Sequence, residues 1–283
     1  MDERSAFAGS YSNYVFDRYT GERDRLRYQY ELLREDFNRW FDEALKRGGL
    51  PTDPAQATWS VLDVGCGEGF YSREIARRYP NARVVGVDTD TDAIAAATAA
   101  GTGGANLRFL AHDARQPLPG NDFDVAVMWM VLLYLPDRRA ALANLAGALR
   151  PGGVALLGNV TDDPVRVAHP AAEQILANGR RMIQQLGMVG LEGSIEPLLA
   201  EAGFTAASSV VLNYPAGGAT SYGERWYWYV VGSMYAGRGA LVELTKLMGE
   251  AEFDRSLAEF LATPILDISG EVRILVTLAQ HKG

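Results

Sequence analysis

The stretch Val61-Leu-Asp-Val-Gly-Cys-Gly-Glu-Gly-Phe-Tyr-Ser72 decides how this chain folds. The run from Trp59 to Val64 is apolar apart from one acid, which is typical of a buried parallel strand. Three glycines follow it at alternate positions: Gly65, Gly67 and Gly69. From Tyr71 to Tyr79 the pattern becomes helical, so the sequence predicts a strand, a glycine turn and a helix.

A glycine turn of this kind suits a ligand that the backbone must approach closely. Glycine has no Cβ, so the chain can turn sharply and a ligand can lie against it. The helix that follows points its free N–H groups and the positive end of its dipole at the same place. The turn therefore indicates a site for the polar part of a nucleotide-like cofactor, and the alternative is a tight turn without a ligand.

The spacing of the glycines separates the candidate cofactors. A dinucleotide fingerprint, Gly-x-Gly-x-x-Gly, needs its third glycine at the position of Phe70, and a P-loop needs a Gly-Lys-Ser/Thr triplet that the chain lacks. The pattern from Asp63 to Gly69 instead resembles the first motif of class I S-adenosylmethionine-dependent methyltransferases. A nicotinamide-dependent oxidoreductase is the alternative that the misplaced third glycine disfavours.

Two acids further along the chain extend the resemblance. Asp88 ends a predicted strand that begins at Arg83, and an acid at that point can accept hydrogen bonds from both ribose hydroxyls. Asp90 and Thr91 are better placed to cap the helix that follows. In the family, an acid after the third strand binds the adenine amino group. The resemblance assigns that role to Asp113, which would otherwise be an ordinary loop residue.

A further match precedes the fifth strand, which we predict at Val154–Val160. Arg150-Pro-Gly-Gly153 resembles the family's Leu-x-Pro-Gly-Gly sequence at this point. Together the motifs cover roughly residues 58 to 160, and the resemblance implies S-adenosylmethionine as cofactor and no metal. The residues that it assigns to the cofactor site are Asp63, Gly65, Cys66, Gly67, Gly69, Asp88, Thr89, His112, Asp113, Ala114 and Trp129.

The resemblance also implies an α/β fold, a Rossmann-like doubly wound sheet of seven strands with helices on both faces. Residues 1–50 are predicted to form a helical N-terminal arm or lid, with an amphipathic helix from about Glu22 to Arg47. This helix either packs on the core, covers the glycine turn or contacts a second subunit of a homo-oligomer. Residues 51–283 form the core, with an aromatic cap insertion at about 215–269 that holds a helix around Leu241–Met248.

Composition limits the classes of function. The formal net charge is −8 and the sequence pI is about 5.0, without a run of five basic residues, which disfavours tight binding of DNA or RNA. The single cysteine, Cys66, leaves no disulfide and no thiolate metal site. No apolar stretch reaches about 18 residues and the first residues are charged, so we expect a cytoplasmic protein without a membrane span.

The stretch after the predicted fourth strand departs from the family in a way that bears on the chemistry. Several small-molecule relatives read Leu-His-His-Leu-Pro there, where one histidine can act as a base, whereas this chain reads Leu132-Leu-Tyr134-Leu-Pro136. His169 is then the remaining candidate for a general base, with a surface histidine as the alternative. The motif of amino-methylating DNA enzymes and the nucleophilic cysteine of cytosine C5 enzymes are missing as well.

We therefore expect methyl transfer to a small, apolar or aromatic natural product, of which carbon methylation of a prenyl, alkene or indole group is one form. Aromatic faces would stabilise the cation formed on such a substrate by about 0.5–2 kcal/mol each. Candidate catalytic residues are Tyr19, Tyr134 and His169, and candidate substrate-binding residues are Tyr14, Tyr19, Trp226 and Tyr229. The alternatives are O- or N-methylation with His169 as base, and a non-catalytic module that binds S-adenosylmethionine.

Overall fold

The computed structural model describes residues 22–101, 104–188 and 191–282, which form one seven-stranded sheet flanked by helices. Tyr14 and Tyr19 lie outside the described residues. The strands are β1 (Ser60–Val64), β2 (Arg83–Asp88), β3 (Leu107–Ala111), β4 (Phe123–Trp129), β5 (Leu149–Val167), β6 (Phe204–Gly217) and β7 (Ser269–His281). The helices are α1 (Glu22–Arg47), α2 (Phe70–Arg78), α3 (Thr91–Ala99), α4 (Arg138–Ala148), α5 (Pro170–Gln185), α6 (Ile195–Glu201), α7 (Ser221–Gly239) and α8 (Glu250–Ala262).

The order of the strands confirms the predicted fold class. The sheet runs β3-β2-β1-β4-β5-β7-β6, and β7 is antiparallel to both of its neighbours. All five residues of β1 are buried, as expected for a strand between parallel neighbours. The chain leaves β1 toward β2 on one side and returns to β4 on the other. Such a switch point leaves a crevice at the carboxyl ends of the strands, where ligands bind in open α/β sheets.

Each face of the sheet has its own apolar core. One face packs against α1 and α7, with Phe37, Phe41 and Trp226 completely buried. The other packs against α4 and α6, through residues such as Leu145 and Leu199. Burying a side chain of this size contributes roughly 1.5–3 kcal/mol. The sheet is therefore packed on both faces, and this packing supports the crevice between β1 and β4.

Helix α1 has the predicted bounds and packs on the core. Its Asp42 accepts hydrogen bonds from Arg78 Nη2 and from Tyr79 Oη, both at 2.8 Å. Its Asp36 accepts one from Tyr214 Oη at 2.8 Å. Long as α1 and α7 are, no helix within the described ranges combines the length and the apolar character needed to cross a membrane. The first part of α1 reaches the edge of the crevice.

Two predictions about later elements are wrong in their bounds. The fifth strand, which we predict at Val154–Val160, extends over Leu149–Val167, because Leu149 pairs with Phe123 of β4 and Val165–Val167 pair with β7 beyond a bulge. The helix predicted around Leu241–Met248 is present only in its first half. A π-helix at Ala240–Leu244 continues α7, and α8 begins after Gly249. Met248 is buried, so its apolar spacing reflects loop packing and not a helix.

Candidate functional site

The glycine turn between β1 and α2 has the backbone that its sequence predicts. The φ angles of Gly65, Gly67 and Gly69 are 73°, 51° and 76°, a region that side chains with a Cβ rarely adopt. A Cβ on Gly65 would lie 2.3 Å from the side chain of Val131, and one on Gly69 would lie 2.4 Å from Phe109. A Cβ on Gly67 would meet nothing within 4 Å, so the backbone at Gly67 faces open space. The middle glycine is therefore the one that a ligand can approach.

Asp63 lies beneath this turn and does not line the crevice. It is 3% exposed and accepts a hydrogen bond from Ser72 Oγ at 2.5 Å, which ties β1 to the first turn of α2. Burial raises the pKa of this carboxyl to about 6, against the hydrogen bond from Ser72, which lowers it. The structure thus places Asp63 as a support of the turn, one layer behind the position expected for a residue that contacts the cofactor.

Asp88 stands beside the turn, at the carboxyl end of β2. Its Oδ2 accepts a hydrogen bond from the backbone N–H of Gly67 at 2.7 Å, and its Oδ1 accepts one from Asp90 N–H at 3.0 Å. Burial raises the pKa of Asp88. Each carboxylate oxygen has a second lone pair, so both can still accept from hydroxyl groups. Asp90 caps α3 as predicted, accepting from the N–H groups of Asp92 and Ala93.

Asp113 follows β3 and is held by a residue that the sequence reasoning missed. Both of its oxygens are bonded to Arg115, with Nη2 to Oδ2 at 2.7 Å and Nε to Oδ1 at 3.0 Å. The Arg115 guanidinium keeps the pKa of Asp113 below its ordinary value. Next to it, His112 Nε2 lies 3.0 Å from the carbonyl oxygen of Pro117. The Asp113 carboxylate is therefore ionised and fixed in orientation.

These residues line one end of a cavity of about 270 Å³ at the carboxyl ends of the strands. The structure brings most of the predicted cofactor residues together here, while Asp63 and Gly69 stay behind the surface. The predicted residues that line the cavity are Gly65, Cys66, Gly67, Asp88, Thr89, His112, Asp113, Ala114 and Trp129. Burial raises the pKa of the Cys66 thiol well above its ordinary value, so Cys66 is a small packing residue and not a thiolate.

The other end of the same cavity is a wall of aromatic rings, which we call the aromatic wall. It consists of Tyr30, Phe70, Tyr71, Trp129, Tyr134 and Tyr229. The rings of Tyr30 and Phe70 stack at 5.2 Å, and Tyr30 meets Tyr71 edge to face at 5.1 Å. Offset and edge-to-face pairs of this kind are the favourable arrangements of aromatic rings. The wall is thus a packed surface with a defined shape.

The predicted catalytic and substrate-binding residues within the described ranges divide into two groups. Tyr134 and Tyr229 line the cavity. Trp226 does not line it, because its side chain is completely buried behind the wall. It stacks on Tyr214 at 4.3 Å and meets Tyr229 edge to face at 5.4 Å. Trp226 therefore supports Tyr229 and has no face free for a substrate.

His169 lies outside the cavity, at the start of α5. Its Nδ1 accepts a hydrogen bond from Ala172 N–H at 3.4 Å, which makes it the N-cap of that helix. Its Nε2 lies 3.0 Å from Thr263 Oγ1, and its ring packs 5.3 Å from Phe260. Both ring nitrogens are thus engaged in structural contacts, and the structure does not bring His169 together with the predicted site.

Helix α1 contributes residues to the cavity lining that could not be recognised as functional from the sequence. Arg25, Leu26, Gln29 and Tyr30 all face the cavity. Arg25 Nη1 donates a hydrogen bond to Tyr229 Oη at 3.3 Å, which joins α1 to α7 across the cavity mouth. The signal in the sequence is the apolar spacing of Leu26 and Tyr30, but residues that face a core and residues that face a cavity share the same helical period.

Comparison with known protein families identifies the domain. Residues 61–153 match a family model described as a methyltransferase domain. The trans-aconitate 2-methyltransferase of Streptomyces avermitilis is 39% identical over 107 residues, which cover 37% of this chain and 38% of that protein. The ubiquinone biosynthesis O-methyltransferase of Psychrobacter arcticus is 28% identical over 188 residues, 62% of this chain and 72% of that protein. Five trans-aconitate 2-methyltransferases from different bacteria match this chain, and each alignment spans only 38% to 54% of the relative's own length.

Solved structures show the same fold at low sequence identity. The phosphoethanolamine N-methyltransferase 2 of Haemonchus contortus, solved with S-adenosyl-L-methionine, aligns with a TM-score of 0.53 at 18% identity, over 85% of this chain and 52% of that one. The [4+2]-cyclase SpnF aligns with a TM-score of 0.52 at 18% identity, over 87% of this chain and 81% of that one. The comparisons confirm the resemblance to class I methyltransferases that the glycine turn indicated.

Proposed function

We propose that this chain is a class I S-adenosylmethionine-dependent methyltransferase and that it transfers a methyl group to a small, largely apolar or aromatic molecule held against the aromatic wall. The observation that carries the proposal is one continuous cavity. It joins the glycine turn, Asp88 and Asp113 at one end to Trp129 and Tyr229 at the other. A donor and an acceptor bound at the two ends would meet inside the protein.

The residues at the first end fit the donor. The open face at Gly67 leaves room for a ligand against the backbone, and Asp88 and Asp113 offer carboxylate oxygens to hydroxyl and amino groups. Glu68 and Asp90 line the cavity as well, with Glu68 in an ion pair with Arg23. S-adenosylmethionine supplies an electrophilic methyl group on a cationic sulfur.

The chain's own task is to align the reactants and to keep water away. Holding two reactants in the reactive geometry can account for a large part of a rate enhancement, without a covalent bond to the protein. The wall is dry on its protein side, since Trp129 and Tyr229 are 5% and 8% exposed. Ring faces of this kind stabilise a nearby positive charge by about 0.5–2 kcal/mol each.

The form of the reaction that we favour needs no general base. In the described part of the chain, His112 is the histidine that lines the cavity, and its Nε2 is held by the Pro117 carbonyl. An alkene or indole carbon can be methylated without prior loss of a proton, and the cation that forms would face the aromatic wall. Carbon methylation of a prenyl or indole group is therefore the first candidate.

O-methylation is the second candidate, and Arg25 favours it. The guanidinium of Arg25 lines the cavity next to Tyr229 and could bind a carboxylate on the acceptor. A carboxylate is ionised near neutral pH, so its methylation needs no base either. The names of the trans-aconitate and ubiquinone methyltransferases support this candidate. Base catalysis by His169 would require that residue to leave its contacts with Thr263 and Ala172.

The test is a turnover assay with an acceptor panel. Purified protein is incubated with S-adenosylmethionine and indoles, prenylated aromatics, phenols, carboxylic acids and amines, and the release of S-adenosylhomocysteine is measured. Mass spectrometry and NMR of the product then locate the new methyl group. We expect turnover with an aromatic or prenylated acceptor. Tight binding of S-adenosylhomocysteine without any methyl transfer would instead indicate the alternative of a non-catalytic binding module.

A further inference from the structure

Two buried hydrogen-bond donors in the aromatic wall have no acceptor among the described residues. They are the indole N–H of Trp129 and the hydroxyl of Tyr71. Both residues line the cavity, and their ring centroids are 5.9 Å apart. Buried polar groups in folded proteins are nearly always hydrogen-bonded, so a pair of this kind in a cavity calls for an explanation.

The two groups cannot satisfy each other completely. Tryptophan offers one donor and no acceptor, whereas a tyrosine hydroxyl offers one proton and oxygen lone pairs. The indole N–H of Trp129 lies near the Tyr71 hydroxyl and lowers its pKa slightly, as a weak donor would. The two atoms nevertheless do not form a hydrogen bond of normal geometry. Even a good bond from the indole to the phenol oxygen would leave the phenol proton without an acceptor. The pair therefore needs an acceptor atom from outside.

The positions of both rings are imposed by the fold. Trp129 lies flat on Gly158 of β5, where a Cβ would come within 2.4 Å of the indole. Phe37 meets Trp129 edge to face at 5.2 Å and packs 4.3 Å from Tyr71. The residue after Trp129, Met130, has a φ of 59°, a strained conformation that ends β4 at this point. Neither donor can turn away to reach solvent.

The Tyr71 hydroxyl stays protonated. Burial raises its pKa well above the ordinary value, and the neighbouring side chains of Tyr30 and Asp63 raise it further. Tyr71 can therefore donate a hydrogen bond, as the indole N–H of Trp129 can, and both residues line the cavity.

We propose that Tyr71 and Trp129 form an oxygen-binding pair that donates two hydrogen bonds to a carboxylate or carbonyl oxygen of the ligand in this cavity. The inference rests on the proposed function for the identity of the ligands. The oxygen comes either from the amino-acid carboxylate of the methyl donor or from the acceptor molecule. In both cases the pair fixes the position of a reactant and takes no proton.

The test compares Tyr71→Phe with a matched variant, Tyr79→Phe. Tyr79 follows the same helix, but its hydroxyl donates to Asp42 at 2.8 Å and lies outside the cavity. Tyr71→Phe removes a hydroxyl that has no acceptor among the described residues, so the melting temperature of the ligand-free protein should stay the same or rise. Tyr79→Phe should lower it and leave ligand binding unchanged. A purely structural role of Tyr71 would predict a lower melting temperature for both.

Ligand binding is measured by isothermal titration calorimetry with two pairs of probes. S-adenosylhomocysteine is compared with 5′-methylthioadenosine, which lacks the amino-acid part. Indole-3-acetate is compared with indole, each added to the complex with S-adenosylhomocysteine. In Tyr71→Phe we expect the affinity for the carboxylate-bearing member of one pair to fall about tenfold, with the other member unchanged.

The two pairs distinguish the sources of the oxygen. If Tyr71→Phe loses affinity only for S-adenosylhomocysteine, the bound oxygen belongs to the methyl donor. If it loses affinity only for indole-3-acetate, the oxygen belongs to the acceptor. Wild-type affinities of Tyr71→Phe for all four probes would overturn the inference. Because these are binding measurements, they stand apart from the turnover assay, whose failure would affect only the proposed methyl transfer.

Discussion

The two ends of the cavity are built in different ways. The donor end is made mainly of backbone and of acids that follow strands, with Gly67 N–H bonded to Asp88 across the turn. The aromatic wall is made of side chains from α1, α2, β4, α7 and the turn that holds Tyr134, and they include Tyr30, Tyr71, Trp129 and Tyr229. One end depends on a short local sequence, and the other depends on how distant helices pack.

Because the two ends are built differently, binding of the donor and choice of the acceptor can change independently. A backbone cradle accepts one ligand shape and tolerates little change, because a Cβ on Gly65 or Gly69 would collide with a neighbour. A wall of packed rings can be reshaped one side chain at a time while the sheet stays intact. We therefore expect substitutions at the donor end to affect every reaction of the protein, and substitutions in the wall to affect the choice and handling of the acceptor.

The largest effect should follow from Gly67→Val. The new side chain would project into the open space where we propose that the cofactor binds, and φ at this position is +51°. We expect the affinity for S-adenosylhomocysteine to fall at least about 100-fold by calorimetry. Gly101→Val is the matched control, since Gly101 has a φ of +63° and equally open surroundings but lies outside the cavity. If both variants bound S-adenosylhomocysteine equally well, the turn at Gly67 would not be part of the donor site.

Asp88→Ala should have the next largest effect. It removes the carboxylate that accepts from Gly67 N–H and that faces the cavity. We expect binding of S-adenosylhomocysteine to weaken about 10- to 100-fold, since hydrogen bonds to charged groups contribute about 1.5–3 kcal/mol. Asp122→Ala serves as the control, because it breaks only an exposed ion pair with Arg83 near the other end of β2. Unchanged affinity in Asp88→Ala would mean that the cofactor lies elsewhere.

The buried carboxyl of Asp63 should make the stability of the donor end depend on pH. Its pKa is raised from 3.8 to about 6, so between these values the folded chain holds a proton that the unfolded chain has lost. The free energy of unfolding should then fall as the pH rises through this window, by at most about 1.4 kcal/mol per pH unit from this group. Urea titrations of wild type and Asp63→Asn from pH 4 to 7 test this. Parallel pH profiles of the two proteins would contradict it.

Tyr229→Leu should separate the wall from the donor end. The change keeps most of the volume but removes a ring face and the hydroxyl that accepts from Arg25. We expect kcat/KM for the acceptor to fall about fivefold, while the affinity for S-adenosylhomocysteine stays within about twofold. Tyr235→Leu on the same helix, where the residue is 52% exposed, should change neither quantity. A loss of donor affinity in Tyr229→Leu would show that the two ends are not independent.

His169→Ala should have the smallest effect on turnover. The residue lies outside the cavity, so kcat should stay within about twofold of wild type, whereas loss of a general base would reduce it by about two or more orders of magnitude. Stability should fall by about 1 kcal/mol, because the N-cap of α5 and the contact with Thr263 are lost. Thr263→Ala should be destabilised by less than His169→Ala and should keep the wild-type kcat. A hundredfold drop in kcat for His169→Ala alone would restore the base mechanism.

The same contrast explains what could be predicted from the sequence. The backbone of the donor end and the positions of its acids could be predicted because their signals are local. The glycine spacing defines the turn, and Asp88, Asp113 and the cap at Asp90 all follow recognisable strands. Helix α1 was predicted with its observed bounds, since its apolar spacing is regular and Gly48 and Gly49 follow it.

The wall could not be predicted in the same way. Tyr30 and Tyr71 have the spacing of core residues, and only the packing of α1 over α2 turns them toward a cavity. Trp226 was assigned to the substrate because it is aromatic, yet it lies one layer behind Tyr229. Arg115 carries no pattern at all, since an arginine two residues after an acid is common on any surface.

A crystal structure of the protein with S-adenosylhomocysteine would show directly whether one cavity holds both reactants. We expect the ribose at Asp88, the adenine beside Asp113 and the sulfur directed toward Trp129 and the aromatic wall. A ligand bound away from the turn at Gly65–Gly69, or one whose sulfur points away from the wall, would disprove the proposed site.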